Sequence, residues 1–97
     1  MIELHAYCDV SEGKEEELKG VFNNIFSPAM AKQPGFVRVS LLKMKEEERK
    51  YEIDIVFETE EQRLAWVATP EHKEAWPKVE ACFTNFSYKI FDMVAQE

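Results

Sequence analysis

The strongest constraint on the fold is the order in which two hydrophobic periodicities alternate along the chain. Residues 2–8, IELHAYC, alternate apolar and polar side chains with the period of two that a half-buried strand shows. Apolar side chains then recur at spacings of three and four across residues 12–26, which is typical of an amphipathic helix. We expect Asp9 or Ser11 to cap this helix and Pro28 to kink or restart it.

Three further segments of the chain read as strands. Residues 36–44 and 50–58 are rich in β-branched, aromatic and aliphatic side chains. The short run between them, KMKEEERK at 43–50, mixes charges of both signs, so the two segments predict an antiparallel hairpin. Residues 85–94, NFSYKIFDMV, alternate again and predict a closing strand.

A second helical region follows the hairpin and contains two start signals. Thr59 and Gln62 form a capping box, in which the hydroxyl accepts from the backbone three residues on. Thr69 is followed by Pro70, and proline is favoured at the first helical position because its missing N–H is not needed there. The second helix is therefore predicted to consist of two pieces that meet at Thr69 and Pro70.

The order β-α-β-β-α-β predicts one α+β domain over residues 1–97. Four strands and two helical layers in this order form a ferredoxin-like split sheet with helices on one face. Because the length suits a single core, we expect no second domain.

The face of the sheet away from the helices is predicted to lie bare in a single chain. Alternation places His5 and Tyr7 on it, and Arg38, Glu52 and Asp54 are candidates for an ion pair on the same side. Since apolar and aromatic residues accompany them, two copies could bury this face against each other. We therefore expect a homodimer.

Charge and hydropathy exclude two classes of partner. The chain has 12 basic and 19 acidic residues and a formal charge of −7, whereas a nucleic-acid binder needs a basic surface. No apolar run approaches the roughly 18 residues of a membrane span, and the first residues do not resemble a signal peptide. We expect a cytoplasmic protein with neither nucleic-acid nor membrane partners.

The sequence contains no motif for a metal or a cofactor. Cys8 and Cys82 are far apart and lack the spacings of a zinc site or a disulfide framework. The chain has only three glycines and no glycine-rich phosphate loop. We therefore expect no metal and no cofactor.

His72 is the candidate catalytic residue. It lies three residues after the predicted cap, on the same helical stripe as Trp76, so its imidazole is expected to point inward near the positive end of a helix. That position favours the neutral imidazole, which can accept a proton from a phenol or an enol carbon. The alternative is a structural histidine that caps the helix and stacks on Trp76. Trp66 is likewise either a flat wall for an aromatic ligand or part of the core.

Four segments carry a resemblance to a known family. They are VSEGKEEEL at 10–18, QPGFVRVSLL at 33–42, YEIDIVFETEEQRLAWVATPEHKEAW at 51–76, and the aromatic closing strand. In this order the chain resembles the antibiotic biosynthesis monooxygenase family of dimeric α+β barrels. Relatives of this kind include cofactor-free monooxygenases acting on quinone precursors, haem-degrading monooxygenases, isomerases and proteins without a known substrate.

The resemblance to the haem-degrading branch can be followed residue by residue. When the sequences are matched on Gly13 and Trp66, the branch's asparagine falls on Ala6 and its iron-ligating histidine falls on Trp76. An indole nitrogen is only a donor and cannot ligate iron, so haem is disfavoured. The resemblance then implies a substrate pocket lined by Trp66, Ala6 and Trp76, with Cys8 beside Ala6 on the same strand face.

The family chemistry implied is a cofactor-free monooxygenase acting on a small aromatic or quinone-like metabolite. In it His72 would accept the proton and Trp66 would form the wall of the pocket. Two alternatives stay open. The same fold could bind or isomerise a small molecule without oxygen chemistry, or it could be a dimeric scaffold whose aromatic residues are all core.

Overall fold

The computed structural model describes residues 1–97 and contains the predicted elements in the predicted order. The strands are β1 (Ile2–Val10), β2 (Phe36–Lys43), β3 (Lys50–Phe57) and β4 (Phe83–Asp92). The helices are α1 (Glu15–Val21), α2 (Ser27–Ala31), α3 (Glu60–Val67) and α4 (Pro70–Glu80), and a π-helical turn, Phe22–Phe26, joins α1 to α2. The closing strand begins and ends two residues earlier than the alternation predicts.

The four strands form one antiparallel sheet in the order β2-β3-β1-β4. This is the ferredoxin-like topology expected from the element order. The register places Ala6 of β1 between Ile53 of β3 and Tyr88 of β4. Ala6 therefore lies at the middle of the helix-covered face with two larger side chains beside it.

The first helix departs from the prediction at its start. Neither Asp9 nor Ser11 caps it: Lys14 occupies the cap position without a side-chain hydrogen bond. The carboxylate of Asp9 instead accepts from Lys50 at 2.8 Å and from Asn85 at 3.0 Å, because Asp9 still belongs to β1. Pro28 lies in the first turn of α2, so the helix restarts there as expected.

The break between α3 and α4 follows the two predicted caps. The Thr59 hydroxyl accepts from the Gln62 backbone N–H at 3.1 Å. The Thr69 hydroxyl accepts from the His72 backbone N–H at 3.1 Å and donates to the Trp66 carbonyl oxygen at 2.7 Å. One side chain thus fixes the end of α3 relative to the start of α4.

One hydrophobic core fills the space between the helices and the sheet. Alternate residues of β1 and β3 point into it, and Leu18, Met30 and Val79 of the helices are fully buried there. Trp66 is buried in the same cluster. None of the helices combines the length and the apolar character needed to span a membrane.

The opposite face of the sheet is polar at its centre. Glu3, His5, Glu52 and Asp54 lie on the central strands of this face, and all four are half-buried. Apolar side chains lie mainly at its margins, for example Phe91, which is 42% exposed.

The double hydrogen bond of Thr69 predicts how a capping variant behaves. Thr69→Ala removes the α4 cap and the link to α3, so the free energy of unfolding should fall by about 1 kcal/mol or more. Thr59→Ala removes a matched cap from α3 without touching α4 and should lower it by a similar amount. The two variants are compared by urea denaturation and by the His72 ring signals in NMR spectra.

Only Thr69→Ala should displace the His72 ring signals. If both variants, or neither, displaced them, the Thr69 hydroxyl would not be what positions His72.

Candidate active site

A cavity of about 200 Å³ lies between the helices and the sheet. Its walls come from β1, β3 and β4 on the sheet side and from the π-helical turn, α3 and α4 on the helix side. Ten of its lining residues are apolar or aromatic, and the other two are Arg63 and His72. The full set is Leu4, Ala6, Phe26, Ile53, Ile55, Arg63, Trp66, Val67, His72, Trp76, Phe86 and Tyr88.

The cavity exists because the helices cover β1 and β3 more completely than β4. Ala6 contributes only a methyl group to the floor, while Ile53 beside it is fully buried. On the edge strand β4, Phe86 and Tyr88 face the same side but remain 39% and 55% exposed. These two rings therefore form a rim through which a ligand can enter.

Trp66 forms the inner wall. Its side chain is almost completely buried, and its ring lies 5.9 Å from that of Phe26 in an edge-to-face arrangement. Trp76 lies 5.9 Å from the same Phe26 ring and 5.1 Å from Phe86. The predicted pocket residues Trp66, Trp76 and Ala6 therefore line one cavity, together with His72.

The His72 ring lies between the two tryptophans. Its centroid is 5.1 Å from Trp66 in an edge-to-face arrangement and 6.2 Å from Trp76, to which it is nearly parallel. Its backbone N–H bonds to Thr69, but neither ring nitrogen has a hydrogen-bond partner in the protein. Neither nitrogen is fully buried, and His72 lines the cavity.

Burial lowers the pKa of His72 below its ordinary value of 6.5. Desolvation disfavours the imidazolium form, so the ring is neutral near neutral pH and retains a lone pair on one nitrogen. A neutral imidazole facing an apolar cavity can accept a proton from a bound acidic group.

The structure does not place Cys8 in this cavity. Its side chain is buried, and its sulfur donates to the Tyr51 carbonyl oxygen at 3.4 Å. Burial raises the pKa of the thiol to about 12, which suppresses the reactive thiolate. Cys8 lies on the same strand face as Ala6, as expected, but two residues further along, beyond the end of the cavity.

The sequence reasoning missed several lining residues, of which Arg63 is the most informative. Arg63 precedes Trp66 by three residues, a spacing that places both on one side of a helix. That spacing was a usable signal. The contributions of Phe26 and Tyr88 depend on how the π-helical turn and β4 meet the other elements, which no local pattern reveals.

A second polar cluster lies on the opposite face of the sheet. His5 Nε2 bonds to Glu3 Oε2 at 2.8 Å, and His5 Nδ1 lies 3.8 Å from Glu52 Oε2. The adjacent Asp54 carboxyl raises the pKa of Glu52 to about 6, and the bond with Glu3 raises the pKa of His5. The expected ion pair of Arg38 is formed with Glu3, at 3.8 Å, rather than with Glu52 or Asp54.

The comparisons with known proteins agree with this architecture. The sequence model described as antibiotic biosynthesis monooxygenase matches residues 1–78. No curated protein sequence gives a significant match.

Among solved structures, a candidate antibiotic biosynthesis monooxygenase from Nitrosomonas europaea superposes with a TM-score of 0.86 at 16% identity, covering 98% of this chain and 100% of that one. SnoaB, a cofactor-independent oxygenase from Streptomyces nogalater, superposes with a TM-score of 0.85 at 21% identity, covering 98% and 94%. A candidate monooxygenase from Caulobacter crescentus gives 0.86 at 21% identity, covering 97% and 90%. At these identities the structures establish a shared fold.

The pKa values of the two histidines should shift in opposite directions from the ordinary value of 6.5. His72 should lose its proton below 6.5 because burial disfavours its charged form, and His5 should lose its proton above 6.5 because carboxylates surround it. A pH titration of the two ring C–H signals by NMR measures both in one sample. Equal midpoints, or the reverse order, would contradict the assignment of a neutral His72.

The raised pKa of Glu52 predicts a pH dependence of stability. Since the folded protein holds this proton more tightly than the unfolded chain, the residue's contribution to stability falls as pH rises from 4.5 past 6. Glu52→Gln cannot ionise, so the variant should lose less stability than the wild type over that range. Denaturant midpoints of both proteins at the two ends of the range measure the difference, and parallel pH profiles would exclude this linkage.

Proposed function

The chain belongs to the antibiotic biosynthesis monooxygenase family, and on this basis we propose that it is a cofactor-free monooxygenase of a small aromatic, quinol-like metabolite. The observation that carries the proposal is the neutral, unpartnered imidazole of His72 facing an aromatic-walled cavity. The description of SnoaB as a cofactor-independent oxygenase supports the same reaction class.

The cavity limits the part of the substrate that can be enclosed. A cavity of about 150 Å³ is known to hold one benzene molecule, and this one measures about 200 Å³. One aromatic ring, or a compact fused pair, therefore fits inside. A larger ring system would extend past Phe86 and Tyr88 into solvent.

The proposed reaction begins with proton transfer to His72. The substrate's phenol, or the acidic carbon of its keto form, loses a proton to the imidazole and becomes a phenolate or enolate. This anion passes one electron to dioxygen, and the resulting substrate radical and superoxide combine to form a carbon–oxygen bond. The His72 imidazolium returns its proton to the resulting peroxide, and loss of water, which takes the remaining hydrogen from the same carbon, then breaks the oxygen–oxygen bond and leaves a carbonyl group. One oxygen atom enters the product and the other becomes water, so the substrate supplies all the electrons.

The other lining residues have supporting roles in this proposal. Trp66 provides the flat surface on which the substrate ring stacks, and Trp76 closes the cavity beside Phe86. Ala6 leaves room for the ring over the sheet. The apolar lining keeps water from the anion and from the radical pair. Cys8 has no part in the reaction.

We further propose that the functional unit is a homodimer formed through the helix-free face of the sheet. The chain resembles a family of dimeric barrels, and Phe91 and Leu42 on this face are 42% and 47% exposed in the single chain. A second copy would bury them. Sedimentation at micromolar concentration reports the assembly directly.

The catalytic assignment is tested by oxygen consumption with a series of quinols and anthrone-like phenols. His72→Ala should lower the rate about 100-fold or more, because a positioned general base contributes roughly that much. Lys73→Ala, which truncates an exposed residue of α4 outside both the cavity and the helix-free sheet face, should leave the rate close to that of the wild type.

The outcomes separate the possible functions. Full oxygen uptake by His72→Ala would show that His72 is not the base. Ligand-induced shifts at His72 without any uptake would favour a binding or isomerase module, and the absence of both would favour a scaffold.

A further inference from the structure

We infer that Arg63 makes the cavity selective for an aromatic ligand that carries an anionic oxygen, supplied as a carboxylate or a phenolate. The inference rests on the proposed function, since it concerns the ligand of the same cavity. Arg63 is the one residue of the lining that is always charged, because its guanidinium does not lose its proton in proteins. His72 is neutral near neutral pH, and no carboxylate lines the cavity.

The placement of Arg63 differs from that of the other charged pairs on the helices. The pairs Lys14–Glu17 and Lys19–Glu16 have the same spacing of three residues, and both cations are about half exposed. The Arg63 side chain is only 11% exposed, whereas its partner Glu60 is 46% exposed. Arg63 is therefore packed against the cavity, with Glu60 on its solvent side.

Glu60 fixes the orientation of the Arg63 guanidinium but accepts from only two of its N–H groups. Arg63 Nε donates to Glu60 Oε1 at 2.6 Å, and Nη2 donates to Glu60 Oε2 at 3.0 Å. These bonds lower the pKa of Glu60 and hold the planar guanidinium in one orientation. Of its five N–H groups, three have no acceptor in the protein. They can bind the two oxygens of a carboxylate or the single oxygen of a phenolate.

This arrangement assigns separate tasks to the two polar lining residues. His72 has a lone pair for a proton, while Arg63 has N–H donors for the oxygen that carries negative charge. In an apolar cavity an anion loses part of its hydration, so an oriented guanidinium favours the binding of that anion. An uncharged ligand of the same shape can accept only a weaker hydrogen bond from Arg63.

The selectivity for a carboxylate ligand is tested by measuring the binding of naphthoate and of its neutral isostere naphthamide through quenching of tryptophan fluorescence. We expect the wild type to bind naphthoate about tenfold or more tightly than naphthamide, as for a hydrogen bond to a charged group. Arg63→Gln should abolish this preference and leave the affinity for naphthamide within about threefold, since the aromatic walls remain.

Two control variants distinguish direct contact between Arg63 and the ligand from the effect of the protein's net charge. Lys78→Gln removes the same charge from a half-exposed residue outside the cavity, so it should keep the preference for naphthoate. Glu60→Gln removes the competing anion and should keep or enlarge the preference. Loss of preference in Lys78→Gln equal to that in Arg63→Gln would overturn a direct role of Arg63.

The selectivity for a phenolate ligand is tested with para-nitrophenol, whose phenolate absorbs visible light. Its pKa when bound should lie below that of the free phenol in the wild type but not in Arg63→Gln. Equal binding of naphthoate and naphthamide together with an unshifted pKa would overturn the inference, yet leave the proposed function standing. Failure of all three probes to bind would contradict both, because the cavity would then not accept an aromatic ring.

Discussion

The site depends on the two hydrogen bonds of the Thr69 hydroxyl. It donates to the last turn of α3, which carries Trp66, and accepts from the first turn of α4, which carries His72. Pro70 follows as the first residue of α4, so the chain must turn between the two helices. A single uninterrupted helix would direct residues 66 and 72 to different sides, whereas the break brings their rings to 5.1 Å.

The cavity results from a balance between two kinds of packing. Large aromatic rings from the π-helical turn, α3 and α4 pack against one another and hold the helices away from Ala6, which has only a methyl group. Where the sheet carries larger residues away from Ala6, such as Tyr51 and Phe57, the core is filled. The same aromatic packing partly buries His72, and this desolvation lowers the pKa of its imidazole.

The fold and part of the site follow from the sequence because both depend on local patterns. The alternation of apolar and polar residues predicts which face of each strand is buried, and the caps at Thr59 and Thr69 predict the helix break. Together they allow Trp66, Trp76, His72 and Ala6 to be assigned to one pocket. The Asp9 cap was wrong because β1 continues to Val10, and the pairing of Asp9 with Lys50 depends on strand register.

Features that depend on distant contacts were not predictable. The cluster of His5 with Glu52 and Asp54 forms across two strands that are more than forty residues apart in the chain. Cys8 falls outside the cavity although its cross-strand partner Phe86 lines it, and alternation gives only the face of a strand. The open rim exists because β4 is an edge strand that the helices do not cover.

The central claim is that the space above Ala6 is a ligand site. Ala6→Leu tests it most directly, because the larger side chain would fill the cavity while Trp66, His72 and Arg63 stay in place. We expect a folded variant with unchanged circular dichroism that neither binds an aromatic ligand nor consumes oxygen with a quinol. Retention of both binding and oxygen uptake by folded Ala6→Leu would contradict it.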